Sequence, residues 1–136
     1  MDVIQVSVRG FPAFMLYFAA SLALLGLFVA IYIRITPYRE LVLIREGNSA
    51  AAASLTGAML GFVIPLARSV TQSANLADMA LWGLIALVVQ LLVYFACTRL
   101  MPGLASDIPA GKAAPGLFLG AVSVATGILN AACMTY

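Results

Sequence analysis

Four uncharged runs dictate what this chain can become. Residues 10–33, 47–67, 79–98 and 113–136 contain no Asp, Glu, Lys or Arg, and each is at least 20 residues long. At about 1.5 Å per residue, a helix of that length covers a hydrocarbon core of roughly 30 Å. The whole sequence is 64% hydrophobic and 9% charged, whereas roughly a quarter of a soluble domain is charged. A water-soluble core of this size cannot hide so much apolar surface. The chain therefore reads as an all-α membrane protein, a single four-helix transmembrane domain over residues 1–136. Its spans fall at about 11–34, 49–71, 78–98 and 113–134, joined by connectors at 35–48 and 99–112. The first run is too long for a removable signal peptide and lacks the small-residue cleavage pattern, so it is expected to stay in the mature protein.

The four spans are of two kinds. Residues 11–33 hold twelve Leu, Ile, Val or Phe, and residues 78–98 hold ten. Each such residue contributes roughly −0.3 to −0.6 kcal/mol to insertion, so these spans insert unaided. Residues 47–67 hold six, which makes the second span marginal alone and dependent on a partner helix. Its Ala53, Gly57 and Gly61 recur every four residues, stacking small side chains on one face where another backbone can approach. The fourth span repeats the pattern with Gly116 and Gly120, extended by Gly127 and Ala131.

This alternation reads as two tandem two-helix repeats offset by 65 residues, Arg34 to Pro37 matching Arg99 to Pro102. Copies with an even number of crossings share one orientation, so the second and fourth helices run parallel. They are expected at the centre, with the first and third outside. The connectors after the first and third spans carry Arg34, Arg39, Arg45, Arg99 and Lys112, against Arg9 and Arg68 on the other side. The positive-inside rule then puts both connectors in the cytoplasm and both termini outside.

Residues 1–9 read as a short amphipathic lead-in. Thr36 and Pro37 break the first helix. Residues 38–46 read as a short interfacial helix, with Leu41 and Ile44 on one side and Arg39, Glu40, Arg45 and Glu46 on the other. Gly47 suits a left-handed stop and Asn48 the next N-cap. The second connector, with two Pro and two Gly in residues 101–112, reads as an irregular turn.

Little here supports chemistry. There is no His and no pair of acidic residues within a helix, so metal catalysis, Ser-His hydrolysis and carboxylate-pair glycoside cleavage lose their usual parts. The expectation is a protein that is not an enzyme, with no cofactor and no metal. A net charge of +2 from 7 basic and 5 acidic side chains forms no patch for nucleic acid. Cys97 and Cys133 fall at opposite faces of the bilayer, too far apart for a disulfide. No uncharged run contains the deep ionisable residue that proton-coupled exporters of this size rely on.

The polar candidates are few. Arg68 either snorkels to the outer headgroups or joins Asp78 and Asn130, at similar depth, in an outer-facing polar pocket. Gln90 reads as an amide that ties helices together. Ser54, Thr56, Ser123 and Thr126 line the space between the second and fourth helices if a solute path runs there.

The segments RITPYRELVLI, GNSAAAASLTGAMLGFVIPL, ALWGLIALVVQLLVY and AAPGLFLGAVSVATGILNAACMTY resemble the YjfL-like family of small bacterial inner-membrane proteins (UPF0719, DUF350). The resemblance covers nearly the whole chain, and Arg68 is not part of its pattern. It implies a multi-pass plasma-membrane protein of four helices with no established activity. It also implies a setting beside PspA-like membrane-stress proteins and ATP-grasp ligases resembling glutathionylspermidine synthase. Two functional readings follow. One is a non-enzymatic module in the lipid bilayer that assembles as a homo-oligomer or with a cytoplasmic membrane-stress partner. The other is a small oligomeric channel or transporter for an ion or a polyamine-like solute.

Overall fold

The computed structural model describes residues 2–134, and all regular structure among them is helical. α1 is Val3–Ile35, α2 Glu40–Arg45, α3 Ser49–Gln72, α4 Leu76–Leu100, α5 Leu104–Asp107 and α6 Ala113–Cys133. Four of these, α1, α3, α4 and α6, are long and apolar enough to cross a membrane.

α1 differs from expectation at its start. Of the residues read as a separate lead-in, those from Val3 onward belong to the same helix, 33 residues long. That is about 50 Å, well beyond a core of roughly 30 Å. Arg9 ends the uncharged run but not the helix, because a charge limits burial in lipid while leaving the backbone ladder intact. α1 ends where Thr36 turns extended ahead of Pro37, as the residue before a proline tends to do.

The two connectors are built alike. At Gly47 the backbone has φ 87°, and Gly111 has φ 79°. Around them Asn48 N–H donates to the Leu43 carbonyl (2.8 Å) and Gly47 N–H to that of Ile44 (3.0 Å). Lys112 and Gly111 make the same two bonds to Asp107 (3.1 Å) and Ile108 (3.0 Å). Both are Schellman stops, which need a residue that tolerates positive φ. The second connector is thus not an irregular turn: it contains α5, closed by its own glycine. Asn48 then starts α3, its Oδ1 accepting from Ala51 N–H (3.0 Å) while its Nδ2 donates to the Ile108 carbonyl (2.8 Å). One side chain caps a helix and ties the two connectors together.

α3 is the hub. It packs along α6, and it is also tied to α4 by the Ser69 hydroxyl, which donates to the Met79 carbonyl (2.9 Å). α4 is buried over 39% of its most apolar stretch against 33% for α6, so the expectation that α4 lies outside is corrected. Three helices share the centre, and only α1, with 6% of that stretch buried, lies outside. The core is aromatic on the α1 side. Phe28 stacks on Phe62 (4.7 Å) and contacts Tyr32 (5.6 Å), which meets Tyr94 edge-on at 5.4 Å.

Candidate functional site

Two buried regions form candidate sites: the contact between α3 and α6, and the underside of α2.

The first is a backbone seam. A Cβ added to Gly116 would meet the Ala50 carbonyl, one on Gly120 that of Ala53, and one on Gly57 the backbone of Gly120. Further along, Gly61 faces the Ser123 carbonyl and Gly127 the Gly61 carbonyl. Partners rise together in both helices, so α3 and α6 run parallel. At each contact the missing side chain lets the two backbones lie directly against each other, the close approach that small residues permit between membrane helices. Pro65 lies four residues after Gly61 and has no N–H, which leaves the Gly61 carbonyl without its helical donor where Gly127 approaches. Gln90 on α4 completes the junction: its Nε2 donates to the Ser123 carbonyl (3.1 Å), while its Oε1 is buried without a partner.

The polar residues expected to line a path do not converge. The Ser54 hydroxyl donates to the Ala51 carbonyl of its own helix (3.0 Å), and that of Ser123 to Leu119 (2.9 Å). Thr56 is exposed, and the interior is filled by Phe28, Phe62, Leu55, Leu66, Met79 and Leu119.

At the other end of the spans, Arg68, Asp78 and Asn130 are held separately. Arg68 is half-buried, and its Nε donates to the Met134 carbonyl (3.1 Å), clamping the end of α3 to the end of α6. Asp78 accepts from Ala74 N–H (3.0 Å) and its own N–H donates to the Asn75 side chain (2.8 Å), a local cap of α4. The Asn130 Nδ2 is buried with no partner. Cys97 is buried, Cys133 exposed, and both are free thiols.

The second site is where sequence reasoning went astray. Glu40, placed by sequence on the solvated side of α2, is 1% exposed, while Leu41 and Val42 are exposed instead. Pro37 turns the chain back so that Tyr38 and Glu40 point inward and Arg39 outward. No hydrogen bond of good geometry reaches either Glu40 carboxylate oxygen or the buried hydroxyls of Tyr32 and Tyr38, although the Thr36 side chain neighbours Glu40 and that of Tyr94 neighbours Tyr38. Burial pushes the Glu40 carboxyl up to about 7, with the Thr36 hydroxyl offsetting part of the rise. Burial likewise raises Tyr38, helped by the neighbouring Tyr94 and Glu40. The protein thus does hold an ionisable residue inside the bundle. It lies outside every uncharged run, so only the fold-back at Pro37 brings it there.

A family model described as "Domain of Unknown Function (DUF350)" matches residues 6–134. The chain belongs to this family. It is 42% identical over 124 residues to the UPF0719 inner membrane protein YjfL of Escherichia coli (strain K12), covering 91% of this chain and 94% of that protein. It is 30% identical over 86 residues to the UPF0719 transmembrane protein YshE of Bacillus subtilis (strain 168), covering 63% and 64%. No solved structure matches. The match to the family includes α2 and α5 as well as the spans, so both the seam and the site beneath α2 lie within it.

Proposed function

We propose that the chain is a non-enzymatic, multi-pass protein of the bacterial inner membrane that serves as an assembly module. In this reading it associates with further copies of itself and presents its connectors to a cytoplasmic membrane-stress partner. The observation that carries it is the sealed interior: one copy is closed by the glycine seam and filled with aromatic and aliphatic side chains. The printed description of YjfL as an inner membrane protein supports the location. The bias of Arg34, Arg39, Arg45, Arg99 and Lys112 toward the connector side supports placing both termini outside. The paired Schellman stops at Gly47 and Gly111, 64 residues apart, support two tandem repeats, each a greasy helix, a short helix and a small-residue helix.

Self-association has a candidate surface. A groove of about 620 Å³ runs between α3 and α6 on the outer side of the seam, bordered by Ala52, Thr56, Ala121 and Ala125. Because the seam glycines are spent inside one copy, variants at Gly57 or Gly61 report on folding, not on association. The discriminating variant is Ala125→Trp, at an exposed position in the groove. Counting copies by photobleaching in native-lipid particles is expected to give more than one for the natural chain and fewer for this variant. A single copy for both would overturn self-association.

The channel or transporter reading, for an ion or polyamine-like solute, is favoured by one observation: the buried Glu40. Flux from liposomes under an imposed potential separates the two readings. The module reading expects none.

A further inference from the structure

Glu40 is a charged side chain that packing alone does not account for. An ionised carboxylate out of water costs several kcal/mol unless it is paired or hydrogen-bonded, and this one is unpaired, with the Thr36 side chain as its hydrogen-bonding neighbour. Around it are further groups with unused hydrogen-bonding capacity. Tyr32, 1% exposed, comes from α1 and Tyr38, 8% exposed, from the connector. Tyr94 of α4 meets the Tyr32 ring at 5.4 Å, and Glu40 acts electrostatically on Tyr32, Tyr38 and Tyr94. A buried carboxylate beside the Tyr32 and Tyr38 hydroxyls, with no cationic side chain bonded to it, lacks a single positive charge.

We propose that Glu40, with the hydroxyls of Tyr32 and Tyr38, forms a binding site for one exchangeable monovalent cation, a proton or an alkali ion of sodium size. The enclosure sets the size of the ligand. Both carboxylate oxygens are closed from solvent, so a small cation reaches them with less rearrangement than a bulky organic ammonium group. A divalent ion is disfavoured by charge, since no group of three or more His, Cys, Asp or Glu is placed to hold a metal among the described residues. The approach is the neighbouring cavity of about 330 Å³, lined by Thr36, Pro37, Tyr38, Arg39 and Glu40.

The remaining ionisable groups nearby are Cys97 on α4 and the exposed Arg34, Arg39 and Arg99. None of these arginines forms an ion pair with Glu40, and the first two turns of α3, against which α2 packs, carry no ionisable side chain. Burial places the carboxyl at about 7, so its occupancy changes near neutrality. The site stands apart from the assembly reading and holds whether or not copies associate.

The test is an infrared titration of the full chain in lipid nanodiscs, with sodium or choline as the only added cation. The expected result is a protonated-carboxyl band at neutral and mildly acidic pH that fades as pH rises through about 7 and is missing from Glu40→Gln. Loss of the band on adding sodium at constant pH identifies an alkali ion as occupant; indifference to sodium identifies the proton. The proposal is overturned if the band is confined to the ordinary carboxylate range, or if it persists unchanged into alkaline solution. Should Glu40→Gln fail to fold, labelling of the natural chain with an apolar carbodiimide, read by mass spectrometry, replaces the variant. Modification at Glu40 is then expected to fall about tenfold per pH unit above the midpoint, and labelling independent of pH overturns the proposal.

Discussion

The α3/α6 seam and the site beneath α2 are both buried, but they resolve burial in opposite ways. Along the seam, backbone meets backbone: each glycine removes a side chain so that a carbonyl of the other helix can settle over its Cα. Beneath α2, polar side chains are packed inward with hydrogen-bonding capacity unused. The first arrangement is fully committed to holding the fold. The second leaves an unmet electrostatic demand, and in a low-dielectric interior such demands concentrate where a protein changes state.

The comparison breaks most visibly at the seam. Gly57→Leu and Gly61→Leu are expected to abolish the folded bundle, because each new side chain would lie on facing backbone that cannot move aside. Even Gly57→Ala is expected to cost about 1–3 kcal/mol, the usual range for overpacking. Gly26, with open space around it, should accept Leu with little change. Unfolding midpoints in a detergent titration check this, and equal losses at Gly26 and Gly57 would remove the seam from the argument.

Next in size is the pH dependence beneath α2. The Glu40 carboxyl lies at about 7 in the fold against an ordinary 4.5, so the buried form binds a proton that the unfolded chain has already released. Its contribution to stability is complete below about pH 4.5 and is lost as pH rises through about 7, a difference on the order of 3 kcal/mol. The unfolding midpoint of the natural chain should fall across that window, and that of Glu40→Gln should not. Parallel curves would show that Glu40 is ionised and accommodated at neutral pH.

Smaller effects sharpen the picture. Gln90→Leu removes the bond to the Ser123 carbonyl and also the partnerless Oε1, so the net loss should stay below about 1 kcal/mol. A larger loss, seen in the same detergent titration, would make Gln90 a third pillar of the α3/α4/α6 junction. Lys112→Ala breaks the exposed ion pair with Asp107 (3.3 Å) and should shift the midpoint by no more than about 0.5 kcal/mol.

Much of this was legible in residue order. Spans follow from runs long enough to cross lipid, and the four-residue spacing of Gly57, Gly61, Gly116 and Gly120 is a local property of a helix face. The stop at Gly47 and the cap at Asn48 are equally local, since each depends on the conformational freedom or side-chain reach of one residue. Glu40 was misread for the same reason. Judged within residues 38–46 alone, its charge belongs in water, and nothing local announces that Pro37 will fold α2 back against α3.

The sequence by itself determined that the chain is helical, that it has four spans, and that two of them carry faces for close approach, because hydropathy and period act over one helix at a time. Only the tertiary structure decided which glycine meets which carbonyl, that α4 joins the centre, and that Arg68 closes on the end of α6. It alone decided, too, that a lone glutamate from a surface-like segment ends up among tyrosines from two spans. Those outcomes depend on contacts between residues far apart in sequence, 66 positions in the case of Arg68 and Met134, and the free energy that selects them exists only when the helices meet.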